Sequence, residues 1–364
     1  MFFLSKFSHR RFDWILFASV IFLTTIGLAA VYSVDLSRGS DLINFKKQLL
    51  ACGLGLTIAL VVSSFHFSWF RHTAKWWYWG SLALLVAVFF FGRSIRGTTG
   101  WFVVGGFSFQ PVELAKVGVI LLLAYIVANF GRRFDRPLFF FGTGFLVFLP
   151  MALVLKQPDL GSAVVLGIVW LGIMLLVRAR RLYLLLLVGV MVAVALSGWF
   201  FWMKDYQKER LQTFVDPTHD PLGTGYNVSQ SLIAIGSGKF FGRGLGFGSQ
   251  SQLRFLPEAQ TDFVFSVVGE ELGFAGAASV VILFAVMLWR LVRIVQLSKD
   301  DFAAVTASGI AIMFFAHFFI NIGADIGMLP VTGITLPFVS YGGSSLITNF
   351  LLIGIAEAMI VREY

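Results

Sequence analysis

The sequence predicts an all-α integral membrane protein, a ten-transmembrane-helix bundle with both termini cytoplasmic and one long extracytoplasmic loop between helices 7 and 8. The 364 residues are 58% hydrophobic and 13% charged, against about 25% charged in an average soluble domain. Mean hydropathy is +0.84. Apolar runs of about twenty residues, the length that crosses a hydrocarbon core of ~30 Å, recur along the chain. A soluble globule is excluded.

The expected spans are 12–33, 46–64, 75–91, 113–129, 138–155, 160–177, 182–203, 261–289, 302–325 and 341–361, all within one membrane domain covering 1–364. Forty-one Phe and ten Trp suit lipid-facing surfaces, and 37 Gly allow close approach of helix backbones. The first run is longer than a signal-peptide core, so it is expected to remain as the first span.

Orientation follows from the positive charges. With the N-terminus inside, the inside segments carry fifteen: Lys6, Arg10, Arg11, Arg71, Lys75, Arg132, Arg133, Arg136, Arg178, Arg180, Arg181, Arg290, Arg293, Lys299 and Arg362. The short outside segments carry seven: Arg38, Lys46, Lys47, Arg93, Arg96, Lys116 and Lys156. The excess on the first set makes it cytoplasmic and places the loop of about 204–260 outside. Within that loop, 222–248 holds eight glycines and the apolar Leu232–Ile235 segment. It reads either as an interfacial or re-entrant element or as an extended solvated loop.

Several function classes drop out. The net charge of +9 is spread in short clusters between spans, with no basic stripe for nucleic acid. The single Cys52 offers neither a disulfide nor a Cys-based metal site. Gly242-Arg243-Gly244-Leu245-Gly246 lacks the preceding strand of a nucleotide loop. His317 has no second ligand at zinc spacing, and no G-x-S-x-G elbow is present.

An ionisable group inside a span costs about 2.5–3.5 kcal/mol on insertion scales, so each needs a partner or a role. Glu113 and Lys116 are three residues apart at a helix start after Gln110-Pro111, and fit a structural ion pair or a pocket wall. Asp159, after Pro158, fits a helix N-cap. Asp262 stands where the eighth span begins, as a cap or a site residue. Glu270 and Glu271 follow on what reads as the same helix, roughly 12–14 Å further in at 1.5 Å per residue. Glu270 falls within about 80° of Asp262 around that helix and could line the same cavity. His317, Asn321 and Asp325 repeat every four residues as one polar stripe facing the bundle interior.

Five segments read together carry a resemblance: FQPVELAK at 109–116, QPDLGSA at 157–163, DPLGTGYNVSQSLIAIGSG at 216–238, LPEAQTDFVFSVVGEELG at 256–273 and LPVTGITLPFVSYGGSS at 329–345. The chain resembles the shape, elongation, division and sporulation family over nearly its whole length. Gln250-Ser251-Gln252-Leu253 and the 331–345 stretch look more like its elongation branch than its division branch. Val112 departs from a usual serine, and Gly100 from a usual arginine before Trp101, whose charge Arg93 or Arg96 could supply.

The resemblance implies a ten-helix glycosyltransferase of the bacterial cytoplasmic membrane that polymerises lipid II and works with a class B penicillin-binding protein transpeptidase. The aspartate of its TDF motif, here Asp262, is the essential acid. On that footing Asp262 is expected to act as general base, or to hold a divalent cation such as Mg or Mn against the lipid diphosphate. Lys116, with Arg210 from the long loop, would neutralise the leaving diphosphate. Glu113 would orient Lys116, and Gln110, Asp159 and Glu270 would complete the substrate cavity. Competing readings are a lipid II flippase, disfavoured because the carboxylates gather near the outer side, and a non-catalytic scaffold for the transpeptidase.

Overall fold

A computed structural model of the chain describes residues 12–37, 39, 41–95, 97–197 and 224–360. The first three helices, α1 (Trp14–Ser37), α2 (Ile43–Ser63) and α3 (Phe67–Phe91), fill the apolar runs. α1 ends four residues later than expected, and α2 and α3 begin three and eight residues earlier, because polar and aromatic residues flanking the apolar runs continue the helices. A small antiparallel sheet follows, β1 (Arg93–Ile95), β2 (Thr98–Val104) and β3 (Phe107–Phe109). The expected spans did not include it. Gly105 and Gly106, at φ 57° and 84°, make the two-residue turn between β2 and β3.

The next helices are α4 (Pro111–Phe130), α5 (Pro137–Lys156), α6 (Leu160–Leu176) and α7 (Arg181–Ser197). Pro111 and Pro137 open α4 and α5 at the one position where a missing N–H costs nothing. Asp159 caps α6, its carboxylate accepting from Ser162 N at 2.9 Å and Ser162 Oγ at 2.8 Å. Arg96 and residues 198–223, which hold the end of the seventh expected span and the first part of the long loop with Arg210, lie outside the described residues.

After the loop come α8 (Thr224–Ser237), the one-turn α9 (Ser249–Gln252), α10 (Val264–Glu271), α11 (Gly273–Leu297), α12 (Asp301–Asp325) and α13 (Gly343–Ile360). One open alternative narrows here and one expectation changes. The described part of the 222–248 stretch is largely a helix, α8, and not an extended loop. The eighth span is not one helix from 261 to 289: the chain breaks at Leu272–Gly273, where Gly273 takes φ 67°. A Cβ at Gly273 would collide with Gly242 N, because the glycine loop 238–248 crosses the break. The membrane-crossing helix therefore starts at Gly273.

Eight described helices are long and apolar enough to cross a membrane: α1 to α5 and α11 to α13. The apolar α6 is shorter at 17 residues, and the described part of α7 is also 17. The most buried helices, α4, α12 and α13, form the centre, with α3 against α4, α2 against α13, and α6 against α12. Polar contacts gather at the two ends. At the end that the charge pattern makes cytoplasmic, Arg290 pairs with Asp13 and Arg71 with Asp300.

Candidate active site

The non-helical segment 327–342, between α12 and α13, runs through the opposite end of the bundle and touches nearly every other motif. Gly161, at the start of α6, lies so close that a Cβ there would stand 2.9 Å from Thr332 O and 2.7 Å from Ile334 Cγ1. Ser340 Oγ accepts from Leu336 N at 2.8 Å and donates to Thr261 O at 2.6 Å. Tyr341 N donates to Gln260 O at 2.7 Å. Gln48 of α2 clamps the far end, its amide donating to Ser340 O and accepting from Gly342 N, both at 3.1 Å. Gln48 was not singled out from the sequence, where it follows Lys46-Lys47 and reads as part of a polar helix start.

Asp262 sits in the turn that enters α10, half-buried, its N–H donating to Glu258 O at 3.1 Å. Asn321 fixes its backbone: Nδ2 donates to Asp262 O at 2.9 Å and to Ile334 O at 2.8 Å. The Asp262 carboxylate faces the 327–342 segment at Gly333, where a Cβ would come 3.8 Å from Oδ2.

Lys116 lies across the same segment. Its ammonium donates to Glu113 Oε1 at 2.8 Å, and His317 Nε2 stands 3.2 Å away. Both members of the ion pair are buried, Lys116 at 1% exposure, so the pair is an interior feature of α4 and no mere helix-start ornament. The other ring nitrogen of His317 lies 3.1 Å from Thr335 O. Asp262 thus faces the segment at residue 333, and the Lys116 cluster meets it at residue 335.

The polar stripe of α12 faces inward, and each member reaches a different segment. His317 reaches α4, Asn321 the Asp262 turn, and Asp325 the start of α10, where it accepts from Ser266 N at 3.2 Å and Ser266 Oγ at 3.1 Å. Gln110 joins the α4 and α6 starts: its Nε2 donates to Asp159 Oδ2 at 3.1 Å, and its N–H to Ser344 Oγ at 3.2 Å. Gly100 of β2 packs beside this pair, with room for a Cβ only 3.0 Å from Gln157 Oε1. Arg93 is paired across the sheet with Trp101, one residue on.

Glu270 is placed differently from its expected position. Its oxygens accept from Gln250 N at 2.8 Å and Ser251 N at 3.1 Å, holding the first turn of α9. Glu271 accepts from Ser33 Oγ at 2.6 Å and Ser251 Oγ at 3.0 Å. Ser33 is one turn from the outer end of α1, so both carboxylates, although they close α10, lie at that same end of the bundle. They tie the loop to α1, because the chain turns at Gly273 before the crossing begins. Asp35, also overlooked, is buried and accepts from Phe45 N at 2.8 Å and Asn44 Nδ2 at 2.9 Å, joining α1 to α2. Among the described residues no group of three or more His, Cys, Asp or Glu is placed to hold a metal ion.

Residues 13–363 match the FTSW_RODA_SPOVE model, described as cell cycle protein. The chain belongs to that family. Relatives named for either branch match the chain at 38% identity. The peptidoglycan glycosyltransferase MrdB of Escherichia coli strain K12 is 38% identical over 90% of this chain and 88% of its own length. The probable peptidoglycan glycosyltransferase FtsW of Thiomicrospira cyclica is 38% identical over 95% and 91%. A solved chain reported under structural coordination of polymerization and crosslinking by a peptidoglycan synthase complex superposes with TM-score 0.83 at 32% identity, covering 97% of this chain and 98% of that one. The rod shape determining protein RodA of Thermus thermophilus gives TM-score 0.73 at 30% identity with the same coverage. Family membership and the apolar helices make this a multi-pass protein of the bacterial inner membrane.

Proposed function

We infer that this chain is a peptidoglycan glycosyltransferase that polymerises lipid II at the outer membrane face during cell elongation, with Asp262 as its general base. The observation that carries this reading is the convergence of Asp262 and Lys116 on residues 333–335 at one end of the bundle. A half-buried carboxylate at that end can meet an acceptor sugar and return a proton to water.

In the reaction the acceptor 4-hydroxyl oxygen bonds to the donor anomeric carbon, and the bond from that carbon to the lipid diphosphate breaks with inversion from α to β. The hydroxyl proton passes to Asp262. The charge left on the diphosphate is met by Lys116, held by Glu113. Arg210 is the further cation proposed for the diphosphate. Gln110 and Asp159 hold the α4 and α6 starts together beside the site. Asp262 could also offer oxygen ligands to Mg or Mn, with the diphosphate and water supplying the rest, since such ions need few protein ligands. The working assembly pairs this chain with a class B penicillin-binding protein.

The test uses purified protein, with and without that transpeptidase, given labelled lipid II and resolved on gels. Wild type yields a glycan ladder, Asp262→Asn none, and Lys116→Ala one reduced by about a hundredfold or more, as for loss of a preorganised charge partner. An undiminished ladder from Asp262→Asn defeats the reading. A ladder that survives EDTA places the proton step on the carboxylate and removes the cation from the scheme.

A further inference from the structure

His317 is not among the residues given a role above, yet its hydrogen bonding leaves it a single chemical state. The Thr335 carbonyl, 3.1 Å from Nδ1, can only accept, so Nδ1 carries the proton. The Lys116 ammonium, 3.2 Å from Nε2, can only donate, so Nε2 presents its lone pair. The ring is therefore neutral, with its tautomer set by the same segment that Asp262 faces. His317 itself is buried, at 3% exposure.

The Lys116 ammonium has three N–H groups. One goes to Glu113 Oε1 and one to His317, which leaves one without a protein acceptor among the described residues. Glu113 Oε2 is buried and also has no hydrogen-bond partner. Without His317 the ammonium could satisfy itself by moving onto both Glu113 oxygens, a tighter ion pair that withdraws the cation from the 327–342 segment.

We propose that His317 is a positioning residue for glycosyl transfer: its neutral ring holds the Lys116 ammonium off the second Glu113 oxygen and so keeps one N–H uncommitted for the diphosphate leaving group. This rests on the role given above to Lys116. The stripe on α12 then has two tasks about one turn apart, with His317 setting the cation and Asn321 setting the backbone of the base.

The experiment is a double-mutant cycle on the purified full-length protein with labelled lipid II, with kcat and KM read separately and folding followed by thermal unfolding in detergent. His317→Leu fills the space without an acceptor and lowers kcat by about a hundredfold, the scale of a misplacement of about 1 Å. His317→Gln, whose amide oxygen can accept from Lys116, restores most of that loss. His317→Asn, too short to reach, does not. In a Lys116→Ala background, His317→Leu causes no further loss of rate. The inference is overturned if His317→Leu turns over as wild type, if Gln and Asn behave alike, or if the losses from Lys116→Ala and His317→Leu multiply. Should His317→Leu not fold, the Gln and Asn pair decides alone. A fully active Lys116→Ala variant sinks the reading of Lys116 itself, whereas an inactive one beside an active His317→Leu sinks only the role of His317.

Discussion

Asn321 makes two hydrogen bonds, to Asp262 O and Ile334 O, and so sets the spacing between the base and the segment it faces. Asn321→Leu keeps the volume but strips both carbonyls of their donor, at a cost of about 1–3 kcal/mol for each group left unsatisfied. Expected outcomes are a lower unfolding temperature and a glycan ladder weakened beyond what the lost stability explains at temperatures where the variant is folded. A variant destabilised but fully active would mean that Asp262 is placed by its own turn alone. The four-residue spacing of His317, Asn321 and Asp325 made their common face legible in the sequence. Their partners were not legible: they lie up to 201 residues away along the chain, and nothing local encodes which segment meets which member. Glu113 and Lys116 were readable as a pair because helix geometry alone brings i and i+3 together. The cap at Asp159 was readable for the same reason.

At the scale of elements, the apolar runs gave most helices to within a few residues, whereas the breaks between them were harder to see. The sheet at 93–109 carried its own signal, a Gly105-Gly106 pair between aromatic and β-branched residues, but so short a stretch between two long spans reads as a connector. The break at Gly273 follows the Glu270-Glu271 pair and leads straight into the apolar run of α11, and the crossing of the glycine loop explains it. Gly273→Ala tests that packing. A left-handed backbone costs a residue with a Cβ about 1–2 kcal/mol, and the added carbon also meets Gly242 N and Phe240 O. Unfolding should move to lower temperature by more than the backbone term alone. Gly53, on α2 with nothing within 4 Å of an added Cβ, is the matched control. Gly53→Ala should be neutral or stabilising by about 0.5–1 kcal/mol, since alanine favours a helix interior. Equal effects from the two substitutions would deny the crossing any structural weight.

Across the whole molecule, the two ends of the bundle are built for different work. The outer end spends its polar groups on joining segments around Asp262 and Lys116, and the cytoplasmic end closes with a clamp far from that chemistry. Asp13 is the centre of the clamp. Its Oδ1 caps α1 through Leu16 N at 3.0 Å, its N–H donates to Glu357 Oε2 at 3.0 Å, and its Oδ2 pairs with Arg290 at 2.6 Å. The starts of α1 and the ends of α11 and α13 are thereby held together. Asp13 and Glu357 are both buried, so the Arg290 guanidinium is the counter-charge that makes two neighbouring carboxyl groups tolerable there. Arg290→Met keeps the aliphatic bulk and removes that charge, which for a broken buried pair costs about 3–5 kcal/mol. The Arg71–Asp300 pair at the same end is about a third exposed, at 31% and 29%, so Arg71→Met should cost no more than about 1 kcal/mol. Thermal unfolding of the two variants should therefore separate clearly, while lipid II turnover per folded molecule stays at the wild-type level in both. If Arg290→Met unfolds no earlier than Arg71→Met, the clamp contributes nothing. If instead it loses turnover while still folded, the cytoplasmic end is coupled to the site, and the division of labour between the two ends fails.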